Sequence, residues 1–126
     1  MKPIVVACAI GLCAISSATA ATVGKLEPRE AGARYGQALG AALVCYGLST
    51  TAAVPRLPAT YVDKDRQAFD QEADKVLLAW REASICHAAG GPNPCRLAYL
   101  WSCRDAVREI GPNGTKLPGL IQEKTD

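Results

Sequence analysis

Three stretches of the chain carry apolar residues at every third or fourth position, which is the period of a helix with one buried face. The pattern predicts three principal helices, at about residues 28–47, 63–86 and 94–110. Pro28 suits the first turn of the first helix, and Asn93-Pro94 suits the start of the third. The residues after the third helix, 111–126, are rich in turn formers. The sequence therefore predicts an all-α fold, a small bundle of three or four helices with a turn-rich tail.

Each predicted helix has an apolar stripe that we expect to face the core. On the first helix the stripe comprises Tyr35, Leu39, Ala42, Leu43 and Tyr46. On the second helix it comprises Phe69, Ala73, Val76, Leu77 and Trp80. On the third helix it comprises Leu97, Leu100, Trp101, Val107 and Ile110. The tail carries three apolar residues that are expected to fold back over this core, Leu117, Leu120 and Ile121.

Proline and glycine shape the segments around the first helix. The connector at residues 48–62 contains Pro55 and Pro58, which lack an N–H, so we expect it to be irregular. Three glycines recur at one-turn spacing beside the first stripe, at Gly32, Gly36 and Gly40. Each costs about 1 kcal/mol of helix propensity, which tertiary packing must offset. Close approach of a second helix is the favoured explanation, and a binding groove with a glycine floor is the alternative.

The first twenty residues have the layout of a secretory signal peptide. Lys2 provides a positive start, an apolar run follows at residues 3–15, and Ala18-Thr19-Ala20 provides small residues for a peptidase. The run is shorter than the roughly 20 residues that a membrane-spanning helix needs, so we expect no stable membrane anchor. Lipidation at Cys8 or Cys13 fits the flanking residues less well. We therefore expect cleavage after Ala20, a single helical domain at 21–126, and a periplasmic or secreted location.

Four cysteines remain after such a cleavage, Cys45, Cys86, Cys95 and Cys103, and an even number in a small exported domain predicts two disulfides. Cys95 and Cys103 lie eight residues apart on one predicted helix, roughly 12 Å, which is too far for a bond. The short loop between the second and third helices brings Cys86 near Cys95. The favoured pairs are thus Cys45–Cys103 and Cys86–Cys95. Cys45–Cys95 with Cys86–Cys103 remains the alternative.

His87, the only histidine, lies beside Cys86 and raises two chemical alternatives. A zinc site could use the Cys86, His87, Cys95 and Cys103 side chains, but their spacing matches none of the common zinc patterns. A catalytic thiol needs a base held by a third group, and sequence adjacency does not supply that arrangement. We therefore predict a disulfide corner, with no metal, no cofactor and no catalytic residue.

The charge balance disfavours two classes of partner. The formal net charge is +2 and falls to +1 when Lys2 is removed with the signal, and the two signs alternate along the chain. Nucleic acids and anionic membranes attract proteins with clustered positive charge, so neither is expected as a partner.

Three classes of function fit these features to different degrees. The favoured one is binding of an unidentified protein partner in the cell envelope, as an inhibitor, an immunity factor or an accessory subunit. Its expected contact residues are Arg56, Tyr61, Arg96, Arg104 and Arg108. The second is a carrier of a small apolar ligand between the helices. The third, an enzyme, lacks a recognisable set of catalytic groups.

Overall fold

A computed structural model of the protein describes residues 25–88 and 93–125, and it describes side chains at 25–83 and 102–125. The long helices are α1 (Pro28–Val44), α3 (Asp63–Ala88) and α4 (Asn93–Ile110). A short helix α2 (Ala53–Arg56) and a one-turn 3-10 helix (Pro58–Thr60) lie between α1 and α3. Two strands, β1 (Leu48–Thr50) and β2 (Ile121–Glu123), form a small antiparallel sheet. The fold is mainly helical, as predicted, with a two-stranded sheet that was not.

Helices α1 and α3 run parallel in close contact. Gly32 lies against the backbone of Phe69, and Gly36 lies against the backbone of Ala73 four residues further along both helices. Because the two helices point the same way, the chain must travel back along the 17-residue α1 before α3 begins. That return is about 25 Å at the rise of an α-helix, which accounts for the length of the connector.

The connector is more regular than its prolines suggested. Residues 48–50 form β1, and Pro55 lies in the first turn of α2, where its missing N–H would have no helical partner. Pro58 begins the 3-10 helix for the same reason. The expectation of an irregular segment was therefore wrong, because both prolines occupy the positions that short helices tolerate.

Helix α4 and the tail close the bundle. α4 runs antiparallel to α1, since Arg34 pairs with Glu109 while Cys45 pairs with Cys103. After α4 the chain turns, and β2 pairs with β1 in a register that places Thr50 opposite Ile121. The tail does fold back over the core, and its buried residues are Leu120 and Ile121.

The buried faces agree with the predicted stripes on α3 and differ on α1. Phe69, Ala73 and Trp80 are buried, as expected. On α1, however, the fully buried side chains are small, and they belong to Ala31, Ala38 and Ala41. Leu43 and Tyr46, assigned to the core from the pattern, are exposed. The close approach of α3 leaves room on the contact face only for glycine and alanine, whereas Leu43 lies in the last turn of α1 and Tyr46 lies beyond its end.

The predicted stripe on α4 is also only partly buried. Ile110 is fully buried, whereas Val107 is exposed and Ala106 takes its place against the core. The other three residues of that stripe, Leu97, Leu100 and Trp101, lie outside the described side chains.

Candidate functional site

A disulfide joins the end of α1 to the middle of α4. Cys45 follows the last residue of α1, its Cα lies 5.8 Å from that of Cys103, and 58 residues separate the two. This is the pair favoured from helix geometry, and it rules out the alternative in which Cys45 bonds Cys95. The second predicted pair, Cys86–Cys95, and His87 lie outside the described side chains.

The glycine stripe of α1 is a packing surface. A Cβ added to Gly32 would lie 2.2 Å from the Phe69 carbonyl oxygen, and one added to Gly36 would lie 2.5 Å from that of Ala73. Both distances are far shorter than van der Waals contact. The stripe therefore leaves no space for a ligand, and the expectation of close helix approach is the one that the geometry fits.

A polar network joins α1 to α4 at the end of their contact opposite to the Cys45–Cys103 disulfide. The Arg34 guanidinium donates through Nε to Glu30 Oε2 at 2.6 Å and through Nη1 to Glu109 Oε1 at 2.9 Å. Gln37 Nε2 donates to the same Glu109 oxygen at 2.9 Å. The Arg34 side chain is only 16% exposed, so this network is partly shielded from water. Such charge-assisted bonds are stronger than neutral ones.

The network holds Glu109 in its ionised form. The hydrogen bond from Gln37 lowers the pKa of the Glu109 carboxyl, and the positive charge and hydrogen bond of Arg34 lower it further. Partial burial acts in the opposite direction but does not prevail. Glu109 is therefore a fixed negative charge over the physiological pH range.

An open groove of about 270 Å³ lies beside this network, where α1, α3 and α4 meet. We call it the Trp80 groove, and its lining residues are Ala33, Arg34, Gln37, Val76, Trp80, Ser102, Asp105 and Glu109. A second hollow of about 90 Å³ also borders Trp80, together with Ala79, Ala83 and Ser102. Trp80 thus borders both hollows, although most of its surface is buried.

The residues predicted to contact a partner differ in exposure. Tyr61 was wrongly placed among surface contacts: it is 2% exposed, its hydroxyl donates to the Leu26 carbonyl oxygen, and its ring stacks on Phe69. Burial, followed by the nearby Asp65 charge, raises the pKa of Tyr61. Tyr61 is therefore a core residue just before α3, and its ring packs against Phe69.

The arginines predicted as contacts are on the surface wherever their side chains are described. Arg56 is exposed on α2 and donates to the Ala52 carbonyl oxygen. Arg104 and Arg108 are exposed one turn apart on α4, and Arg108 pairs with Asp105 at 2.9 Å. Arg96 lies outside the described side chains.

The structure adds two surface residues that the pattern had assigned to the core. Tyr46 is fully exposed and Leu43 is 59% exposed, on either side of the crosslinked Cys45. Tyr46 lies two residues beyond the end of α1, so the helical period that assigned it to the core does not apply to it. Leu43 lies in the last turn of α1, and no local signal in the sequence marks it as exposed.

Other kinds of site find no support in the described part of the chain. No three His, Cys, Asp or Glu side chains there are grouped to hold a metal ion. Every buried side-chain nitrogen and oxygen described has a hydrogen-bond partner. No described helix has the length and apolar character needed to span a bilayer. The chain matches no protein-family model, and it has no significant similarity to a curated protein or a solved structure.

Proposed function

We propose that this is an exported, non-catalytic protein that binds another protein in the cell envelope, as an inhibitor, an immunity factor or an accessory subunit. The observation that supports the proposal best is the exposure of Leu43 and Tyr46 beside a covalent crosslink. Single exposed apolar residues are common on soluble proteins. Two of them at a spacing of three residues, at a point fixed by a disulfide, are a better candidate for an interface anchor.

Arg104 extends this surface. It follows Cys103 in sequence as Tyr46 follows Cys45, and the two cysteine Cα atoms are 5.8 Å apart. With about 3.8 Å between neighbouring Cα atoms, the Tyr46 and Arg104 Cα atoms lie within about 13 Å of each other. Tyrosine and arginine are the residue types enriched at the energetic centres of interfaces. We call Leu43, Tyr46 and Arg104 the crosslinked surface.

The disulfide also lowers the entropic cost of binding at this surface. Cys45 is held to α4, so the backbone that carries Leu43 and Tyr46 is tied at the point between them. Groups that are already fixed lose less freedom when a partner binds. The affinity of the crosslinked surface should therefore depend on the bond as well as on the side chains.

Photocrosslinking tests the proposal directly. A photoreactive residue at position 46 of the full chain, expressed in its own cells, should give one defined adduct in the envelope fraction. The matched control places the same residue at Val62, which is 65% exposed and immediately precedes α3. Equal background at both positions would contradict the proposal.

Substitutions add specificity to this test. Tyr46→Ala and Arg104→Ala should each reduce capture of the adduct protein by about tenfold or more, as loss of an interface anchor does. Their melting temperatures should stay at the wild-type value, because both side chains are exposed. A parallel fall in melting temperature would mean that the residues act on folding instead of binding.

Export is tested separately. Intact mass measurement of the protein from the cell envelope or medium should give a chain that begins at Ala21. A full-length chain that starts at Met1 and remains inside the cell would contradict the export part of the proposal, and with it the expected location of the partner.

The carrier alternative has less support from the described residues. The Trp80 groove is larger than the second hollow beside Trp80, and its lining includes Arg34, Asp105 and Glu109. An apolar ligand there would remove charged groups from water without pairing them, which is costly.

A further inference from the structure

We propose that the Trp80 groove binds a cationic side chain, a lysine or an arginine, that the protein partner projects into it. This inference rests on the proposed function and adds the chemistry of one contact. The groove has two kinds of wall. Val76 and Trp80 provide an apolar surface on α3, and Asp105 and Glu109 provide carboxylates on α4. A lysine or arginine side chain matches both, because its stem is apolar and its tip is charged.

The charge of the groove favours a cation. Arg34, Asp105 and Glu109 line it, and their direct ion-pair partners outside the lining are Glu30 and Arg108. Three of these five groups are negative and two are positive. The Arg34 charge is already compensated by Glu30 and Glu109. An incoming anion would meet two carboxylates, whereas an incoming cation restores neutrality.

Asp105 is the group best able to exchange its partner. Its only ion-pair partner among the described residues is Arg108, which lies on the same helix and is largely exposed. Exposed pairs of this kind contribute about 0–1 kcal/mol, so a ligand cation can compete with Arg108 at little cost. Glu109 contributes a second negative charge that its own hydrogen bonds keep in place.

Trp80 supplies the second observation that points to a ligand. Protein interiors are normally close-packed, and atoms that border a void lose dispersion contacts. Trp80 borders two hollows, and its ring cannot shift toward α1, since a single added Cβ at Gly40 would already lie 2.2 Å from its Cγ. The apolar stem of a lysine or arginine that enters the groove regains packing contacts with Trp80.

NMR titration of the full chain with Nα-acetyl-lysine methylamide tests the contact without a known partner. We expect saturable shifts at the Trp80 indole N–H, the Val76 methyls and the Ser102 amide. The uncharged control is the same probe with its Nε acetylated, which should produce none of these shifts. Asp105→Asn should raise the Kd of the lysine probe about threefold to tenfold, the effect expected from loss of one partly exposed ion pair. Asp74→Asn, at an exposed position of α3, should leave the Kd unchanged.

The outcomes separate this inference from the proposed function. The inference would be overturned if the lysine probe produced no shifts, or shifts spread over the acidic surface. It would also be overturned if Asp105→Asn bound the probe as wild type does. The inference would also be overturned if Asp105→Asn captured the partner as well as wild type does while Tyr46→Ala abolished capture. In that case the proposed function would stand. Probe binding with no adduct at position 46 would mean that the groove takes a free amine, which overturns both. Unchanged melting temperature and amide dispersion in Asp105→Asn exclude a folding defect.

Discussion

Arg34 Nη1 and Glu109 Oε1 lie 2.9 Å apart although 75 residues separate them in the chain. This ion pair joins α1 to α4 about 16 Å along α1 from the Cys45–Cys103 bond, given the rise of a helix. Two attachments at that spacing fix both the direction and the register of the helix pair. The stability of the bundle should therefore respond to each attachment separately.

Replacement of Glu109 by glutamine is expected to make stability less dependent on pH. The folded-state pKa of Glu109 is lowered, so the stability that it contributes is fully present above the unfolded value near 4.5 and is lost as pH falls through the folded pKa. Glu109→Gln should cost about 1–3 kcal/mol near neutral pH, because it removes the charge that Arg34 and Gln37 bind. The difference from wild type should shrink below about pH 4.

Thermal unfolding followed by circular dichroism from about pH 3 to pH 7 checks this prediction. Glu123→Gln, at an exposed position of β2, is the control and should behave as wild type. A Glu109→Gln penalty that stays constant down to the lowest pH would show that the lost interaction does not depend on charge.

An alanine at Gly32 should destabilise the protein although alanine is the better helix former. The substitution gains about 1 kcal/mol of helix propensity. Its Cβ would meet the Phe69 carbonyl oxygen at 2.2 Å, and a backbone atom cannot move aside as a flexible side chain can. Overpacking of this kind typically costs about 1–3 kcal/mol or more, so we expect a net loss in chemical denaturation.

Ala42→Gly on the same helix provides the reference for propensity alone, because Ala42 is partly exposed. It should cost about 1 kcal/mol. A Gly32→Ala protein more stable than wild type would show that α1 and α3 are further apart than their contact indicates.

Loss of the Cys45–Cys103 bond should lower the melting temperature substantially. The bond closes a loop of 58 residues, and a disulfide of this kind is worth about 2–4 kcal/mol. In a chain of this size that corresponds to a shift of roughly 10 °C or more. The variant is Cys45→Ser with Cys103→Ser, and calorimetry measures the shift.

Reducing agent provides the comparison for this variant. It should lower the melting temperature of wild type at least as far as the double substitution does. If neither treatment changes the melting curve, the bond is absent or contributes nothing to stability.

Ile121 should contribute as much to the free energy of unfolding as a buried residue of a helix does. Its side chain is 1% exposed although it lies in a strand of three residues. Ile121→Ala should cost about 2–5 kcal/mol, the range for large-to-small changes in a core. Gln122→Ala, in the same strand at an exposed position, should change the free energy of unfolding by less than about 0.5 kcal/mol. Equal effects of the two substitutions in denaturant titrations would mean that the tail is not packed in solution.

The long helices could be predicted from the sequence because their signals are local. The apolar period of α3 and the proline at the start of α1 placed both helices to within three residues of their ends. The buried face of α1 could not be predicted in the same way. The apolar stripe assigned Leu43 and Tyr46 to the core, but the face that α3 approaches carries glycine and alanine, and Tyr46 lies beyond the end of the helix.

The sheet and the groove depend on contacts between distant parts of the chain. β1 and β2 have three residues each, too few for a clear alternation, and their pairing is set by the return of the tail. The Trp80 groove is formed by three helices, and nothing near Arg34 in sequence indicates that Glu109 will bind it. Tyr61 was misassigned for the same reason, since its burial depends on Phe69 and Leu26.

The pairing of β1 with β2 has a consequence for biosynthesis. Leu48 pairs with Glu123, so β1 cannot pair until the chain through residue 123 has left the ribosome. Early helices can form during elongation because their contacts are local, but the paired residues of this ribbon are 71 to 75 positions apart in sequence, from Thr50–Ile121 to Leu48–Glu123. Final closure is thus a late event, and a ribosome that stalls before residue 121 leaves an unpaired edge in its product.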